Sequence, residues 1–597
     1  MYILGISCFY HESAASLLKD GRVVAASAQE RFSRKKHDSD FPKAAVDFCL
    51  KKAGITVKNL DLVVFYEKPF WKFQRILLST LTTYPVAWHF FAKAMITWFS
   101  DKLWVRTIIA QELKIEPKKI LFVPHHLSHA ASCFYASGFD KGAILTLDGV
   151  GEWTTAAYGQ GNGLKVRLFK ELRFPHSLGL LYSVFTAFLG FEVNDGEYKV
   201  MGMAPYGKPK YKNKVMKLLK IYPDGSFALN MDYFSFHKSA EDAFGKKFIQ
   251  LFGKPRPKDL HFFTKTSGYP SYFGEKPANY DKLCDLNQKY ADIAASIQAV
   301  TEEIILNLAR SLYQETKLEN LCIAGGVGLN SVANGLLLRK GPFKRVFVQP
   351  AAGDDGGSLG AALYVYHALC GQKRNFIQDN CYFGVDFTEA EIEKFLKVKK
   401  LKYQKIVSES KLIAFLAGQI AKGKVIGFFH GRAEWGPRAL GSRSILADPR
   451  REEMKEVVNT KIKFREPYRP FAPVVLAEKA SDYFDVEGLE HQHLTNFMLG
   501  VFPVKKEKRK VIPAVTHVDG SGRLQIITAA QNSRYYNLIK KFGEKTGVYV
   551  LLNTSFNLKG EPIVNSPENA FNTFSKSGLD ILALERFIIF KEDLKAT

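Results

Sequence analysis

One pattern occurs twice in this chain and limits the folds open to it. Near the start, the apolar run 2–6 gives way to the polar stretch Ser-Cys-Phe-Tyr-His-Glu-Ser, then AASLL, the turn Lys19-Asp20-Gly21 and VVAASAQERF. At 143–147 a second apolar run leads into Asp148-Gly149-Val150-Gly151-Glu152, then TTAAYGQ, the turn Gly161-Asn162-Gly163 and LKVRLFKEL. Both read as strands folded back around a polar tip and a tight turn. Two such units predict an internal duplication. Helical stretches such as 292–315 alternate with strand-like ones such as 321–335, so the expected class is α/β.

A chain of 597 residues is too long for one core. Its 46% hydrophobic and 24% charged residues exclude disordered and collagen-like classes. The short polar stretch 371–380 (GQKRNFIQDN) sets the expected boundary between a domain at 1–370 and one at 381–597. The seven cysteines are scattered and form no CxxC pair, which excludes a disulfide framework or zinc ribbon and fits a reducing cytosol. The start MYILGISCFYHES has no basic region before a long apolar run, so no signal peptide is expected and the expected location is cytoplasmic. A net charge of +25 favours anionic partners: nucleotides, acyl phosphates, nucleic acid or an anionic membrane surface. It does not choose among them, and the Lys/Arg runs at 394–405 and 505–510 suit a solvated surface equally well.

Residues 70–120 read as an insertion, with four of the six tryptophans (Trp71, Trp88, Trp98, Trp104) inside 70–106. Tyr84, Trp88, Phe91, Met95 and Trp98 make one helical stripe. The segment is short and polar for a membrane span; a packed helical insertion and a peripheral membrane or partner contact both remain open.

Three constellations carry chemistry. His125 and His129 are four apart and project from one helix face, a spacing that suits two ligands to a divalent metal as well as ordinary core histidines. Asp148 and the Asp354-Asp355-Gly356-Gly357 loop could complete a mixed N/O site for Fe(II), Mn(II) or Zn(II), or be simple turn chemistry. Gly325, Gly326 and Asn330 follow an apolar run, where glycines let backbone amides approach a phosphate or nucleoside, or form a plain strand-to-helix turn. Arg432, Arg438 and Arg443 alternate with glycines, and Lys461, Lys463, Arg465 and Arg469 follow; such forks and point charges suit phosphate, and a solvated basic loop is the alternative. Asn553, Ser555 and Asn557 form a polar strand tip able to bind a phosphate or carbamoyl group, or to cap a turn.

Together, the segments GISCFYHESAASLL, AQERFSRKKHDSDFP, HHLSHAAS, SLGLLYSVFTAFLGFEVNDGEYKVMGMAPYG, GGVGLNSVANG, GDDGGSLGAA, GRAEWGPRALGSRSILADPR, REPYRPFAP, THVDGSGRLQ and LLNTSFNLKGEPIV resemble the NodU/CmcH family of O-carbamoyltransferases. The resemblance spans residues 5 to about 564, leaving 70–120 and 208–280 unmatched. It implies an N-terminal actin-like (ASKHA) domain and a C-terminal YrdC-like domain. It implies that carbamoyl phosphate and ATP, with Mg, form carbamoyl adenylate in the second domain, and that the first moves the carbamoyl group to a hydroxyl. It assigns the metal, Fe(II) or a similar divalent ion, to His125, His129, Asp148 and Asp354. His11 is implied as base for the acceptor hydroxyl and Lys36 as a stabiliser of negative charge. Gly325, Gly326 and Asn330 would hold adenosine; Arg438, Lys463 and Arg469 would hold carbamoyl phosphate, with Arg432, Arg443 and Ser555 as further candidates. The expected partner is a small-molecule or glycan acceptor, without nucleic acid; a homodimer stays open. The alternatives are a threonylcarbamoyl-type transferase acting on tRNA, a non-enzymatic membrane-peripheral protein, and an actin-like sugar kinase.

Overall fold

The computed structural model describes residues 1–82, 95, 98, 102–239, 242–270, 273–489 and 492–594. The chain folds into two compact units: residues 1–29, 37–268 and 277–378 form the first, and 30–36, 269–276 and 379–597 the second. Both are mixed α/β. Two short segments from the N-terminal part, 30–36 and 269–276, therefore cluster with the second unit.

The first unit holds two five-stranded sheets. One is built from β1 (Tyr2–Ser7), β2 (Ala14–Lys19), β3 (Arg22–Ala28), β4 (Leu62–Phe65) and β5 (Ile120–Phe122), in the order β3-β2-β1-β4-β5. The other uses β6 (Lys141–Leu147), β7 (Thr154–Asn162), β8 (Lys165–Arg173), β11 (Asn320–Ala324) and β12 (Arg345–Val348), in the order β12-β11-β6-β7-β8; a small hairpin, β9 (Leu219–Ile221) with β10 (Phe227–Leu229), lies between in sequence. In each sheet the first three strands are an antiparallel meander and the last two run parallel to the first. The expected duplication is thus present, strand for strand. The inner parallel strands β4 and β11 are largely buried apolar runs, as two covered faces demand.

In both halves a helix follows the fifth strand: His125–Phe134 after β5 and Asp354–Tyr364 after β12. The expected Asp-Asp-Gly-Gly loop is in fact the first turn of the second helix. Its glycines are required by close approach. A Cβ at Gly360 would stand 1.8 Å from the Ser128 carbonyl oxygen, and one at Gly356 1.8 Å from that of Ala351. Helix propensity, about 1 kcal/mol worse for each Gly than for Ala, yields here to packing. The strand-like stretch 321–335 likewise ends at Ala324, and a helix begins at Ser331 with Asn330 as its cap.

Helix Pro69–Thr82 opens the expected insertion. Trp98 is buried with its ring 5.9 Å from that of Phe73, whereas Trp71 and Trp104 are exposed. Tyr84, Trp88 and Phe91 of the expected stripe lie outside the described residues. Among the described residues no helix is long and apolar enough to cross a membrane.

The second unit centres on a nine-stranded sheet: β13 (Gln404–Lys405), β14 (Ile426–Phe429), β15 (Arg443–Ala447), β16 (Ala472–Leu476), β17 (Gly500–Pro503), β18 (Ser521–Ile527), β19 (Val550–Ser555), β20 (Ile581–Leu584) and β21 (Phe587–Phe590). The order is β13-β21-β20-β14-β15-β19-β16-β18-β17. Helices Glu409–Ala421 and Ser533–Thr546 pack against each other, the second through buried Tyr535, Leu538, Ile539 and Phe542.

Candidate active site

In the first unit, the two helices that follow the fifth strands bring their N-terminal turns together. His125 and His129 share one helix face, as an i, i+4 pair must, and their Nε2 atoms lie 3.1 Å apart. Asp148, at the end of β6, places Oδ2 3.1 Å from His125 Nε2. Asp354, first residue of its helix, places Oδ1 3.6 Å from His125 Nε2 and 3.8 Å from His129 Nε2. The four ligand atoms lie within 4.8 Å of one another. Ligands about 2.1 Å from a divalent ion stand roughly 3.0–3.5 Å apart, so the set fits a cation with two imidazole and two carboxylate donors. The mixed N/O chemistry suits a first-row divalent metal.

The electrostatics suit the same conclusion. Burial opposes charge on His125, but Asp148, Glu67 and Asp354 outweigh it and raise its pKa well above the ordinary value. Burial also opposes ionisation of Asp148, yet His125, His129 and His126 hold its carboxyl well below the usual range. His126 is a different case. Burial and its histidine neighbours push it down to about 3, and both ring nitrogens are engaged by Thr146 Oγ1 and the Thr154 carbonyl.

The glycine turn is tied to this cluster: the Gly326 amide donates to Asp148 Oδ1 at 3.0 Å. Gly325 has φ +96°, and a Cβ there would stand 2.2 Å from the Leu147 carbonyl oxygen. Asn330 caps the following helix and exchanges hydrogen bonds with Gln298; its side chain is engaged in the fold. His11 packs its ring edge-on against Tyr10 at 4.5 Å. Lys36 ends the 30–36 segment that clusters with the second unit. Sequence reasoning missed a group in the first unit: His37 is held between Glu12 (Nδ1 to Oε1, 3.2 Å) and Asp195 (Nε2 to Oδ1, 3.2 Å). All three sit in motif segments, but 158 positions separate His37 from Asp195, so no spacing links them.

The second unit gathers cations. Arg523 on β18 is half-buried beside Arg438, Arg465 and Arg469; desolvation first, then these neighbours, depress its pKa well below that of an ordinary arginine. Its Nε has no hydrogen-bond partner. Burial, Arg465 and Arg469 depress Lys463 in the same way. Five cations sharing one site invite an anion with several oxygens. Arg523, absent from the expected set, belongs to it; nothing in the surrounding sequence SGRLQII sets it apart.

The remaining candidates are placed differently. Lys463 Nζ donates to the carbonyls of Ser555 (2.7 Å) and Asn557 (2.9 Å) and to Asn557 Oδ1 (2.6 Å), with Ser555 Oγ beside it at 3.2 Å. It ties the end of β19 together. Arg443 is fully buried over the Phe429 ring at 3.5 Å and donates to the carbonyls of His430, Gly431, Ser442 and Val385. Arg432 donates to those of Phe383 and Gly384. Both arginines brace the loop that carries Arg438. Glu434 Oε1 organises the same loop by accepting from the amides of Leu440, Ser442 and Arg443.

Comparison with known proteins agrees with the paired architecture. Residues 2–363 match the carbamoyltransferase N-terminus family and residues 417–591 the carbamoyltransferase C-terminus family. Nodulation protein NolNO of Sinorhizobium fredii is 36% identical over 98% of this chain and 79% of its own length. An uncharacterized Synechocystis protein is 44% identical over 99% of this chain and 97% of its own length. The 3'-hydroxymethylcephem-O-carbamoyltransferase of Streptomyces clavuligerus is 34% identical over 41% of this chain and 44% of its own. The chain belongs to the carbamoyltransferase family, with the NodU, NolO and cephem O-carbamoyltransferase proteins, and is a transferase enzyme.

Proposed function

We propose that the protein is an ATP-dependent O-carbamoyltransferase with two chemical centres, one in each unit. The observation that carries this reading is the second unit's group of Arg438, Lys463, Arg465, Arg469 and Arg523, whose mutual repulsion favours a bound phosphate-bearing ligand. There, water displaces phosphate from carbamoyl phosphate, and an oxygen of the resulting carbamate attacks the α-phosphorus of ATP. Pyrophosphate leaves and carbamoyl adenylate forms. The cations hold the charged oxygens and keep the reacting groups in line. Carbamate decomposes in water, so a closed cationic site suits its activation.

In the first unit, an acceptor hydroxyl attacks the carbamoyl carbon. The C–O bond to the phosphate breaks, AMP leaves, and the hydroxyl proton passes to a base, for which His11 is the candidate. His125, His129, Asp148 and Asp354 would hold Fe(II) or a similar ion, which supplies Lewis-acid stabilisation of developing negative charge. The side-chain-free turn at Gly325 and Gly326 leaves room for the nucleotide to approach the backbone closely. The duplicated sheet order supports an actin-like (ASKHA) reading of the first unit, and the large mixed sheet is read as YrdC-like. The acceptor is a hydroxyl on a small molecule or glycan.

The test is incubation with ATP, carbamoyl phosphate, Mg(II) and Fe(II), with AMP and pyrophosphate followed and candidate hydroxyl acceptors added. Arg438→Ala abolishes adenylate formation. His129→Ala spares it and abolishes transfer. Loss of the same step in both variants defeats the division of labour, and ADP as product would instead favour a kinase.

A further inference from the structure

The wall behind His125 contains charge that neither centre uses. Glu67 follows β4, Lys72 lies on helix Pro69–Thr82, and the two are 5% and 2% exposed. Lys72 Nζ donates to Glu67 Oε2 at 2.8 Å. Burying such a pair costs several kcal/mol of desolvation per ion, and apolar residues of similar size serve stability as well or better. The same Glu67 oxygen stands 3.7 Å from His125 Nδ1. That is ion-pair range, longer than a hydrogen bond. His125 Nδ1 is buried and has no hydrogen-bond partner, while Nε2 on the other edge of the ring faces Asp148 and Asp354.

The surroundings leave the ring little freedom. A Cβ at Gly151 would stand 2.8 Å from its Cδ2. Arg75 Nη1 fixes Gly151 by donating to its carbonyl at 3.0 Å. Glu152 accepts from the His125 amide at 2.9 Å and from the Lys68 amide at 2.9 Å. Lys72 is itself seated 3.4 Å over the Tyr10 ring. The helix opening the unmatched insertion thus supplies Lys72 and Arg75 to the back of the histidine.

We propose that Glu67, held by Lys72, is a positioning residue for the metal centre: its carboxylate, 3.7 Å away, attracts the Nδ1–H of His125, closes to a hydrogen bond when the ring holds a cation, and so keeps Nε2 turned toward that cation. This rests on the metal centre proposed above. Metal-bound histidines commonly donate their second N–H to a carboxylate, and losing that partner typically costs about 10–100-fold in metal affinity.

The test titrates Co(II) alone into the full chain and follows its visible absorption and, by chelator competition, its Kd. Glu67→Gln weakens Co(II) binding about 10–100-fold and changes the band; Glu67→Asp recovers part of the loss. Glu67→Gln with Lys72→Met removes both buried charges together, preserves the fold by thermal melting, and still binds Co(II) weakly. Binding by either Gln variant with wild-type affinity and spectrum overturns the proposal. Absence of Co(II) uptake by the wild-type chain overturns the metal centre along with it. Failure of AMP and pyrophosphate formation counts against the adenylating reading alone.

Discussion

The Nε2 atoms of His125 and His129 face each other across 3.1 Å inside the first unit. Asp354 Oδ1, 3.6 Å and 3.8 Å from these two atoms, adds the second copy of the same topological position. The helix bearing both histidines follows the fifth strand of one sheet, and the helix that begins with Asp354 follows the fifth strand of the other. Duplication therefore brings two helix N-terminal turns together, and substitution within them supplies the ligands.

Removing either imidazole leaves three donors at most and a buried gap. His129→Ala is expected to lose Co(II) and Zn(II) binding by more than the roughly 10–100-fold of an outer change. Chelation of the first unit's metal, with Mg(II) kept in excess, should reproduce its defect: carbamoyl transfer stops while ATP is still converted to carbamoyl adenylate and pyrophosphate. Equilibrium dialysis and product analysis check both halves.

Arg523 gives a prediction with two opposite signs. It stands half-buried beside Arg438, Arg465 and Arg469, so Arg523→Met relieves like-charge repulsion and raises the melting temperature without ligand. The same change removes a phosphate donor. For the wild type, phosphate at 100 times its Kd stabilises by about 2.7 kcal/mol; the variant should lose most of that shift. Thermal melts with and without inorganic phosphate read both effects.

The legible part of the site is the part written in local spacing. His125 and His129 stand out because four residues of helix place them on one face, and Asp148 and Asp354 because each adjoins glycine at the end of an apolar run. Duplication was readable because each meander keeps its turn. Arg523, Glu67 and Lys72 were not readable as site residues, because only the sheet order carries them there. Glu67 did leave a trace: it ends the run 62–66 much as Asp148 ends 143–147. Arg432 and Arg443 mark the opposite failure. A guanidinium satisfied by carbonyls has the same sequence signature as one awaiting phosphate.

Lys463 should make anion binding depend on pH. Its folded pKa lies well below 10.5 because burial, Arg465 and Arg469 disfavour its charge. Between the folded and unfolded pKa the unfolded chain binds more protons, so stability rises with pH across that window. Phosphate binding needs the charged form, so affinity falls with pH over the same window and binding takes up protons. Calorimetry in buffers of different ionisation enthalpy measures the uptake, and Lys463→Met should remove it.

Gly360 tests the helix contact that aligns the metal ligands. A methyl group there would meet the Ser128 carbonyl oxygen at 1.8 Å and Ser132 Cβ at 2.8 Å. Backbone cannot swing aside as a side chain does, so the helices must separate. Gly360→Ala is expected to cost about 3 kcal/mol, the upper part of the overpacking range, and to weaken Co(II) binding because Asp354 and His129 sit on opposite partners. Denaturant melts and Co(II) titration check the pair.

Glu434 shows how the second unit's loop depends on one carboxylate. Its Oε1 accepts three amide hydrogens, at 2.8 Å from Leu440, 2.7 Å from Ser442 and 3.1 Å from Arg443. Charged acceptors contribute about 1.5–3 kcal/mol per hydrogen bond, against 0.5–1.5 for neutral ones. Glu434→Gln keeps an oxygen in place and loses the charge, so a cost of about 1–2 kcal/mol is expected. Glu434→Leu leaves three buried donors unpaired and should cost more than twice as much. Arg438 lies within the loop that these amides close, so phosphate protection should weaken in the same order. Equal phosphate shifts in wild type and Glu434→Gln, with stability already reduced, would separate loop stability from anion binding and refute the coupling.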